Sequence, residues 1–536
     1  MMLNDLLHAD RKTTWHCEVC VVGAGAAGVA VARDLLHAGR EVCLLEAGGM
    51  DYETDTQSLC EGENIGAEYY ELDHSRLRFF GGTTNIWGGR CVPLDPIDFE
   101  RREWVPHSGW PISRADLEPW YLRAHDSMQL GDFEYSAVLW RKLGLQPIDF
   151  DPAEIDTRFW RFDTVKERFQ RTQSTDLIAS ANVNIFLHAN LVALCSDEYG
   201  RQITAADARS LNGNRLRVHA RHYVLACGAI ENARLLLLSD DVVPGGIGNE
   251  RDQVGRYFME HPHGRIAHIE TSDPAGFWAL YRKRYPRGEP PVAPALVASE
   301  ALQRSAGILN CAAGFKPQRD PRRGLALGKR VYMNLKHSLN PSRKGRLIWH
   351  GYRGVTDLLQ AHVSMPLLRL VVKAARMQLY VIARAEQAPN PDSRVVLSER
   401  TDALACRRAD LEWRLSALDK HSVRELARSL GREFTRLRLG KVTTMDWLED
   451  DSTDWPADPT VGNHPIGGYH HMGTTRMSAS PAEGVVDANC TVHGVTNLHI
   501  AGSSVFTTGG WANPTLTLLA LAHRLSHHVD HLLARD

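Results

Sequence analysis

A glycine-rich turn between an apolar strand and an alanine-rich helix constrains the fold of this chain more than any other feature. The segment from residue 18 reads EVCVVGAGAAGVAVARDLLHAGREVCLLEAGG. Its turn carries the spacing G-x-G-x-x-G at Gly23, Gly25 and Gly28. A helix is predicted over Ala26–Leu36 and a second strand over Glu41–Leu45. This order predicts a βαβ unit whose parallel strands are buried on both faces.

The three glycines suit the binding of a dinucleotide. Gly23 permits the tight turn, Gly25 lets the backbone approach a pyrophosphate, and Gly28 allows close packing of helix on strand. The first turn of the helix offers free N–H groups and a partial positive charge to the phosphates. Glu46 ends the second strand at the spacing expected for the acid that binds the ribose. A glycine-rich turn with a surface glutamate is the simpler alternative.

Composition excludes several other classes of function. The 62 basic and 64 acidic side chains leave a net charge of −2, so the chain lacks the basic surface that nucleic-acid binding needs. Cys17 and Cys20 form a C-x-x-C, but no second Cys/His pair follows at zinc spacing, and we expect no catalytic metal. The ten cysteines suggest no disulfide framework, which fits a cytoplasmic location.

We expect neither a signal peptide nor a membrane span. The first residues lack a basic region followed by an apolar run. No stretch reaches about 18 consecutive apolar residues. The nearest candidate, Leu358–Ile382, is interrupted by three cations: Arg369, Lys373 and Arg376. It is compatible with a helix on a membrane surface, although packing on its own domain is the more common case.

The pattern of predicted strands and helices changes near residues 260 and 465. Between them, extended runs and helical runs mix, whereas strand, turn and helix patterns of the first kind return at the end. We therefore predict an α/β protein with a discontinuous, Rossmann-like FAD-binding domain and an inserted α+β substrate-binding domain. The predicted boundaries are 15–259 and 466–536 for the FAD-binding domain and 260–465 for the inserted domain.

Four ordered motifs resemble those of the glucose–methanol–choline (GMC) oxidoreductases. They are GGTTNIWGG (Gly81–Gly89), LACGAIENARLLLLS (Leu225–Ser239), HHMGTTRM (His470–Met477) and GGWANPTLTLLALA (Gly509–Ala522). The last two look most like those of the pyranose-oxidase and bacterial sugar-oxidising branch. The resemblance covers about the first 260 and the last 75 residues, and the middle is matched only loosely.

The resemblance implies bound FAD and names its contacts. Gly23, Gly25 and Gly28 would contact the pyrophosphate, Glu46 the ribose, and the backbone of Val192 the adenine. Gly82, Thr83, Thr84 and Asn85 would contact the isoalloxazine, and Gly502 and Ser503 the ribityl or pyrophosphate region. The helix start, Asn513, Pro514 and Thr515, would lie at the pyrimidine edge. Some family members attach FAD covalently to a histidine at the position of Ile86. Isoleucine cannot form that bond, so we predict noncovalent FAD.

The resemblance also places two catalytic side chains. Oxidising an alcohol requires a base for its O–H proton, and a neutral imidazole suits that step. The family motif favours His470, with the neighbouring His471 as its rival. Asn513 would hold the substrate oxygen opposite His470, although asparagine before Pro514 is also a common helix cap.

The predicted reaction is oxidation of a CH–OH group, with a sugar, glycoside or aminocyclitol as substrate and oxygen or another oxidant as electron acceptor. A non-sugar alcohol, a lyase on the same scaffold and a flavin-binding protein without activity remain alternatives. His261 and His263 would either line the substrate side or form a hydrogen-bonded turn. Glu386 and Gln387 end an apolar strand, where they would meet either a substrate or solvent.

Overall fold

The computed structural model describes residues 3–318, 342–374, 377–458, 461 and 466–535. Its strands are β1 (Leu3–Asp5), β2 (Lys12–Val22), β3 (Val42–Leu45), β4 (Arg90–Cys91), β5 (Ile155–Phe162), β6 (Val183–Leu187), β7 (Asn190–Ser196), β8 (Ile203–Arg209), β9 (Arg215–Leu225), β10 (His263–Glu270), β11 (Val292–Ala298), β12 (Cys311–Gln318), β13 (Gln378–Ala385), β14 (Arg394–Thr401), β15 (Arg407–Glu412), β16 (Lys441–Thr444) and β17 (Leu498–Ile500).

The helices lie between these strands along the chain. They are α1 (Ala26–His37), α2 (Thr54–Ser58), α3 (Pro96–Phe99), α4 (Arg114–Ser127), α5 (Val138–Lys142), α6 (Thr175–Ala179), α7 (Ala229–Leu238), α8 (Pro274–Tyr281), α9 (Glu300–Ala306), α10 (Arg343–His362), α11 (Met365–Ala374), α12 (Ala417–Arg436) and α13 (Thr515–Leu533).

The first sheet has the order β1-β6-β3-β2-β9-β8-β7, and β17 also pairs with β9. The five neighbouring strands β1, β6, β3, β2 and β9 run parallel, whereas β8 and β7 extend the sheet in antiparallel pairing. The chain's last elements complete this unit, because β17 joins the sheet and α13 packs on α1 and α4. These parallel strands and their helices confirm the predicted α/β class.

The second sheet is antiparallel and has the order β16-β10-β13-β12-β11-β5-β4. Helix α12 packs on it through Leu426, Leu430 and Phe434, which belong to a second hydrophobic core. This sheet includes β4 and β5, which lie within 15–259, so the predicted boundary near residue 260 does not separate the two sheets. Pairing of β5 with β11 joins residues more than 130 positions apart, and no local pattern reveals such a contact.

The first sheet begins earlier in the chain than the segment from residue 18 indicates. β1 pairs in parallel with β6, and β2 begins at Lys12 rather than near Glu18. β6 and β7 are separate strands, because the chain turns at His188, whose φ is 53°. The outer half of β2 alternates exposed and half-buried residues, which hid it from a search for apolar runs.

Helices α10 and α11 form a hairpin, called the helical hairpin below, whose axes bend by 114°. No single helix among the described residues is long and apolar enough to cross a membrane. The two helices of the hairpin together have that length and hydropathy, but they are bent relative to each other. Of the two alternatives for Leu358–Ile382, packing on its own domain holds for one face of α11, where Leu368 and Val372 are buried against α8. The apolar side chains of α10 are not covered in this way. Leu347, Ile348 and Leu358 are 75%, 72% and 61% exposed against the described residues.

Candidate active site

One cavity extends from the glycine turn after β2 to the segment before α13. Of the predicted residues, twelve contribute to its wall: Gly23, Gly25, Glu46, Gly82, Thr83, Thr84, Gly502, Ser503, Asn513, Pro514, Thr515 and His470. His263 and Arg384, from the second sheet, line it too. The sequence motifs, although separated by hundreds of residues, therefore meet around a single space.

The glycine turn has the geometry that its spacing predicts. Gly23 has a φ of +100°, and a Cβ there would lie 2.7 Å from the carbonyl oxygen of Ala226. A Cβ on Gly28 would lie 1.8 Å from the carbonyl oxygen of Gly23, so this residue serves helix packing and lies outside the cavity wall. A Cβ on Gly25 would meet nothing within 4 Å, which leaves open space at the N-terminus of α1.

Glu46 closes this end of the cavity. Its carboxylate accepts hydrogen bonds from the backbone N–H of Ala24 at 2.9 Å and of Gly48 at 3.0 Å. Burial raises the pKa of Glu46, and these two hydrogen bonds oppose that shift. Val192 lies on β7 but is not part of the wall, which Ala189 and Leu191 form here.

A buried charge network beside Glu46 escaped the sequence analysis. Glu231 accepts from Arg78 at 2.7 Å and from Arg234 at 2.8 Å, and Arg76 donates to it at 3.0 Å. Burial raises the pKa of Glu231, but the three guanidinium groups outweigh it and hold this pKa well below its usual range. Glu231 and Arg234 belong to the motif at Leu225–Ser239, whereas nothing in the sequence marked Arg76 and Arg78 as partners.

The loop after α2 turns its residues in two directions. Gly82, Thr83, Thr84, Ile86 and Trp87 line the cavity, whereas Asn85 does not. The Asn85 amide instead donates to the carbonyl oxygens of Phe80 and Gly82, at 3.1 and 2.9 Å. The five-residue 3-10 helix at Gly82–Ile86 folds this amide back onto its own loop, and the contact of Asn85 with an isoalloxazine stays a prediction.

Asn513 is not a helix cap. Helix α13 begins at Thr515, its capping position is Pro514, and no side chain caps it. The Asn513 amide nitrogen instead lies 3.1 Å from Nε2 of His470. Its Oδ1 is buried and has no hydrogen-bond partner among the described residues.

His261 holds the other side of the His470 ring. The Nδ1 atoms of the two imidazoles are 2.8 Å apart, and Nε2 of His261 lies 2.7 Å from the carbonyl oxygen of Gly510. Because a carbonyl only accepts, Nε2 of His261 carries a hydrogen. Burial lowers the pKa of His261 to about 4, so at neutral pH its Nδ1 is a lone-pair acceptor.

This chain of hydrogen bonds fixes the tautomer of His470. Its Nδ1–H donates to His261, so its Nε2 carries a lone pair, which accepts from the Asn513 amide. That lone pair faces the cavity and can take a proton. Neither His261 nor its role in orienting the base was clear from the sequence, where a hydrogen-bonded turn was an equal alternative.

His471 also lines the cavity, but its ring has different hydrogen-bond partners. Its Nε2 donates to the Tyr69 hydroxyl at 3.0 Å, and Tyr69 in turn donates to Glu260 at 2.6 Å. Burial lowers the pKa of His471 to about 3. Glu260 also accepts from the backbone N–H of His470 at 2.9 Å, so this carboxylate ties both histidines to one buried group.

Glu386 and Gln387 meet neither substrate nor solvent. Both are buried, and Glu386 forms a two-pronged ion pair with Arg102 at 2.6 and 2.9 Å. Gln387 accepts from the indole N–H of Trp413 at 2.9 Å. They follow β13 directly, and this strand lies inside the second sheet rather than at its rim, which the local sequence does not reveal.

The residues present fit a dinucleotide cofactor. Ideal Cβ atoms on Gly25 and Gly502 would meet nothing within 4 Å, so open space lies beside both backbones. The N-terminus of α1, which has no side-chain cap, points its free N–H groups toward that space. Glu46 follows at the ribose position, and the His470–Asn513 pair lies at the opposite end of the same cavity.

Two family models match the chain. Residues 18–340 match the model described as FAD dependent oxidoreductase, and residues 389–522 match the model described as GMC oxidoreductase. Together they cover both the glycine turn and the His470–Asn513 segment.

Individual proteins are similar over almost their whole length. A 6'''-hydroxyparomomycin C oxidase of Streptomyces lividus is 26% identical, with 97% of this chain and 92% of that protein aligned. The fructose dehydrogenase large subunit of Gluconobacter japonicus is 25% identical over 98% of each. Among solved structures, a fungal aryl-alcohol oxidase has a TM-score of 0.55 at 13% identity, covering 97% of this chain and 99% of its own.

Proposed function

Because this chain belongs to the FAD-dependent oxidoreductases and, within them, to the GMC enzymes that act on alcohols, we propose that it oxidises a CH–OH group with His470 as the base. The observation that carries the proposal is the lone pair on Nε2 of His470, fixed by His261 and facing Asn513 across 3.1 Å. FAD, when bound, supplies the acceptor for the hydride that leaves the carbon.

His470 and Asn513 have different roles toward the substrate hydroxyl. The hydroxyl donates its proton to Nε2 of His470, while the Asn513 amide turns its N–H from His470 to the substrate oxygen. As the C–H bond breaks, the alcohol becomes a carbonyl and His470 becomes an imidazolium. Glu260 and His261 keep the His470 ring in place throughout, since one holds its backbone and the other its Nδ1–H.

The proposed substrate is a polyhydroxylated compound such as a sugar or glycoside. The names of the relatives in Streptomyces and Gluconobacter support this class, as does the resemblance of the closing motifs to the sugar-oxidising branch. Ile86 in the cavity wall supports noncovalent attachment of FAD, because its side chain has no nucleophilic atom. The cytoplasm is the proposed location, supported by ten cysteines that are all unpaired.

The test is anaerobic flavin reduction by stopped flow with a panel of sugars and polyols. We expect His470→Ala to keep its FAD and fold but to reduce flavin about 10²–10⁴-fold more slowly. His471→Ala, the matched control, should retain most of the rate. If His471→Ala is the inactive variant, the base has been assigned to the wrong histidine. Product without flavin bleaching would instead indicate a lyase.

A further inference from the structure

Two arginines in the cavity wall have no acidic partner among the described residues. Arg90 on β4 and Arg384 on β13 both line the cavity and flank one ring, with guanidinium carbons 5.8 and 5.0 Å from the centroid of Trp160. The Nε of Arg90 is buried without a hydrogen-bond partner. No ion pair involves either residue among the described parts of the chain, where most other inward-facing arginines meet carboxylates.

This pair lies on the same wall as the proposed base. Arg384 is the register partner of His263 in the second sheet, and the ring of His261, two residues earlier, contacts His470 at 2.8 Å. Burial lowers the pKa of Arg384 to about 10, and burial together with repulsion from Arg384 lowers that of Arg90. An anion between them would relieve both the repulsion and the lost hydration.

We propose that Arg90 and Arg384 bind an anionic group, a carboxylate or a phosphate, on the hydroxylated substrate. The inference rests on the proposed function, because it takes the CH–OH group to lie at His470. Paired guanidinium forks match the oxygens of either anion. An aminocyclitol, whose ammonium groups would meet two guanidinium groups, is correspondingly disfavoured.

The test compares matched pairs on the holoenzyme: D-gluconate with D-glucitol, and D-glucose 6-phosphate with D-glucose. Binding is read anaerobically from the perturbation of the flavin spectrum. We expect an anion to bind about 10- to 100-fold more tightly than its neutral partner. The first pair reports a carboxylate and the second a phosphate. Arg384→Gln and Arg90→Gln should remove this preference, and surface Arg217→Gln should keep it.

The two proposals fail in different ways. In His470→Ala the preference for the anion should persist although flavin reduction is lost, so a failure of the base leaves the arginine site measurable. The arginine site is refuted if both pairs bind alike, or if Arg384→Gln keeps the preference. Loss of FAD from Arg384→Gln would show that the arginine serves the cofactor and would also refute it.

A second, independent inference concerns the helical hairpin. In α10, polar side chains contact the rest of the protein and apolar side chains are exposed. Its polar side packs inward: Arg346 pairs with Asp51 and Glu167, both at 2.8 Å, and Arg353 donates to the carbonyl oxygen of Trp87 at 3.0 Å. Its acid Asp357 accepts from Tyr285 at 2.8 Å.

The apolar side faces outward along the hairpin. Nine large apolar side chains are between 45% and 75% exposed against the described residues: Leu347, Ile348, Tyr352, Val355, Leu358, Leu359, Leu367, Leu370 and Val371. Monomeric proteins rarely expose a continuous patch of this kind without a binding role.

The net positive charge of the helical hairpin indicates which partner would bind its apolar surface. Residues 342–374 contain six cations, Arg343, Lys344, Arg346, Arg353, Arg369 and Lys373, against the single acid Asp357. Arg343, Lys344 and Lys373 are exposed beside the apolar side chains. A second copy of this chain would bring these like charges together, whereas anionic lipid headgroups would complement them.

We propose that the helical hairpin lies in the surface of a membrane that contains anionic phospholipid. The bend of 114° suits a pair that lies in the interface with its leucines among the acyl chains. The hairpin would then hold the loop after α2, which Arg353 contacts, next to the lipid.

Flotation of the holoenzyme with vesicles tests this surface. We expect binding to phosphatidylcholine vesicles containing about a third phosphatidylglycerol and about tenfold weaker binding without it. The double variant Leu347→Glu, Leu358→Glu should lose the binding but keep FAD and flavin reduction. Leu211→Glu, at an exposed leucine in the turn between β8 and β9, is the matched control. Two results would overturn the proposal: equal binding by the double variant, or a dimer that this variant dissociates.

Discussion

Replacing His261 by leucine should slow the enzyme without touching the proposed base. In the native site Nδ1–H of His470 donates to His261, which leaves the lone pair on Nε2, where the Asn513 amide donates. Leucine offers no acceptor, so Nδ1–H would lose its hydrogen bond to His261. The ring then gains by moving its hydrogen to Nε2 and donating to Oδ1 of Asn513, an acceptor that has no partner among the described residues. That tautomer has no lone pair for the substrate.

The size of the effect follows from the hydrogen bonds exchanged. Losing one net hydrogen bond costs about 0.5–1.5 kcal/mol, and leaving a buried donor unpaired costs about 1–3 kcal/mol. A bias of about 1.5–3 kcal/mol toward the wrong tautomer corresponds to about a 10- to 100-fold slower reduction of flavin. His470→Ala should be slower still, because it removes the base entirely.

Stopped-flow reduction at saturating substrate measures this difference, with flavin content and Tm checked for each variant. His261→Asn is the matched control, since its Oδ1 can occupy the position of Nδ1 and accept from His470. We expect His261→Asn to recover most of the rate. A native rate in His261→Leu, or an equally slow His261→Asn, would refute the tautomer argument.

Three further outcomes are expected. Gly25→Val should yield folded protein without FAD, measured by absorbance after gel filtration, because its Cβ enters space that the protein itself does not fill; Gly351→Ala, also free of contacts, should bind FAD normally. Acid precipitation should release the flavin into the supernatant, since Ile86 cannot link it, and flavin in the pellet would contradict this. Burial lowers the pKa of His471 from 6.5 to about 3, so the unfolded state binds the extra proton and stability falls as pH drops below 6.5. In His471→Phe, urea unfolding should therefore show about 2 kcal/mol less loss of stability between pH 7 and pH 5 than in the native protein.

The sequence revealed the parts of the fold that have local signatures. The βαβ unit follows from periodicity and three glycines, and helix α13 was predicted to within one residue of its start. Strand pairings between segments distant in sequence were not predicted: β5 joins the second sheet through β11, and β1 joins the first through β6. A three-residue strand has no periodicity, so its partner alone defines it.

The candidate site shows the same division. Motif residues such as Gly25, Glu46 and His470 were recognisable because their spacing is itself the signal. Arg384 and Glu260 were not, since each looks like an ordinary strand or turn residue until the sheets bring it to the cavity. Asn513 shows a third case: of the two roles considered for it, the helix cap is absent, and its amide lies beside a histidine 43 positions earlier.

The return of the last segment to the first sheet has a consequence for synthesis in the cell. The glycine turn leaves the ribosome early, but β17 and α13, which close the cavity, are among the last elements made. Until they emerge, the surface of α1 that α13 covers stays bare, and Asn513 is missing from the site. Stable binding of FAD is therefore expected only after β17 and α13 have emerged, and ribosome-stalled chains that stop before β17 should bind chaperones rather than FAD.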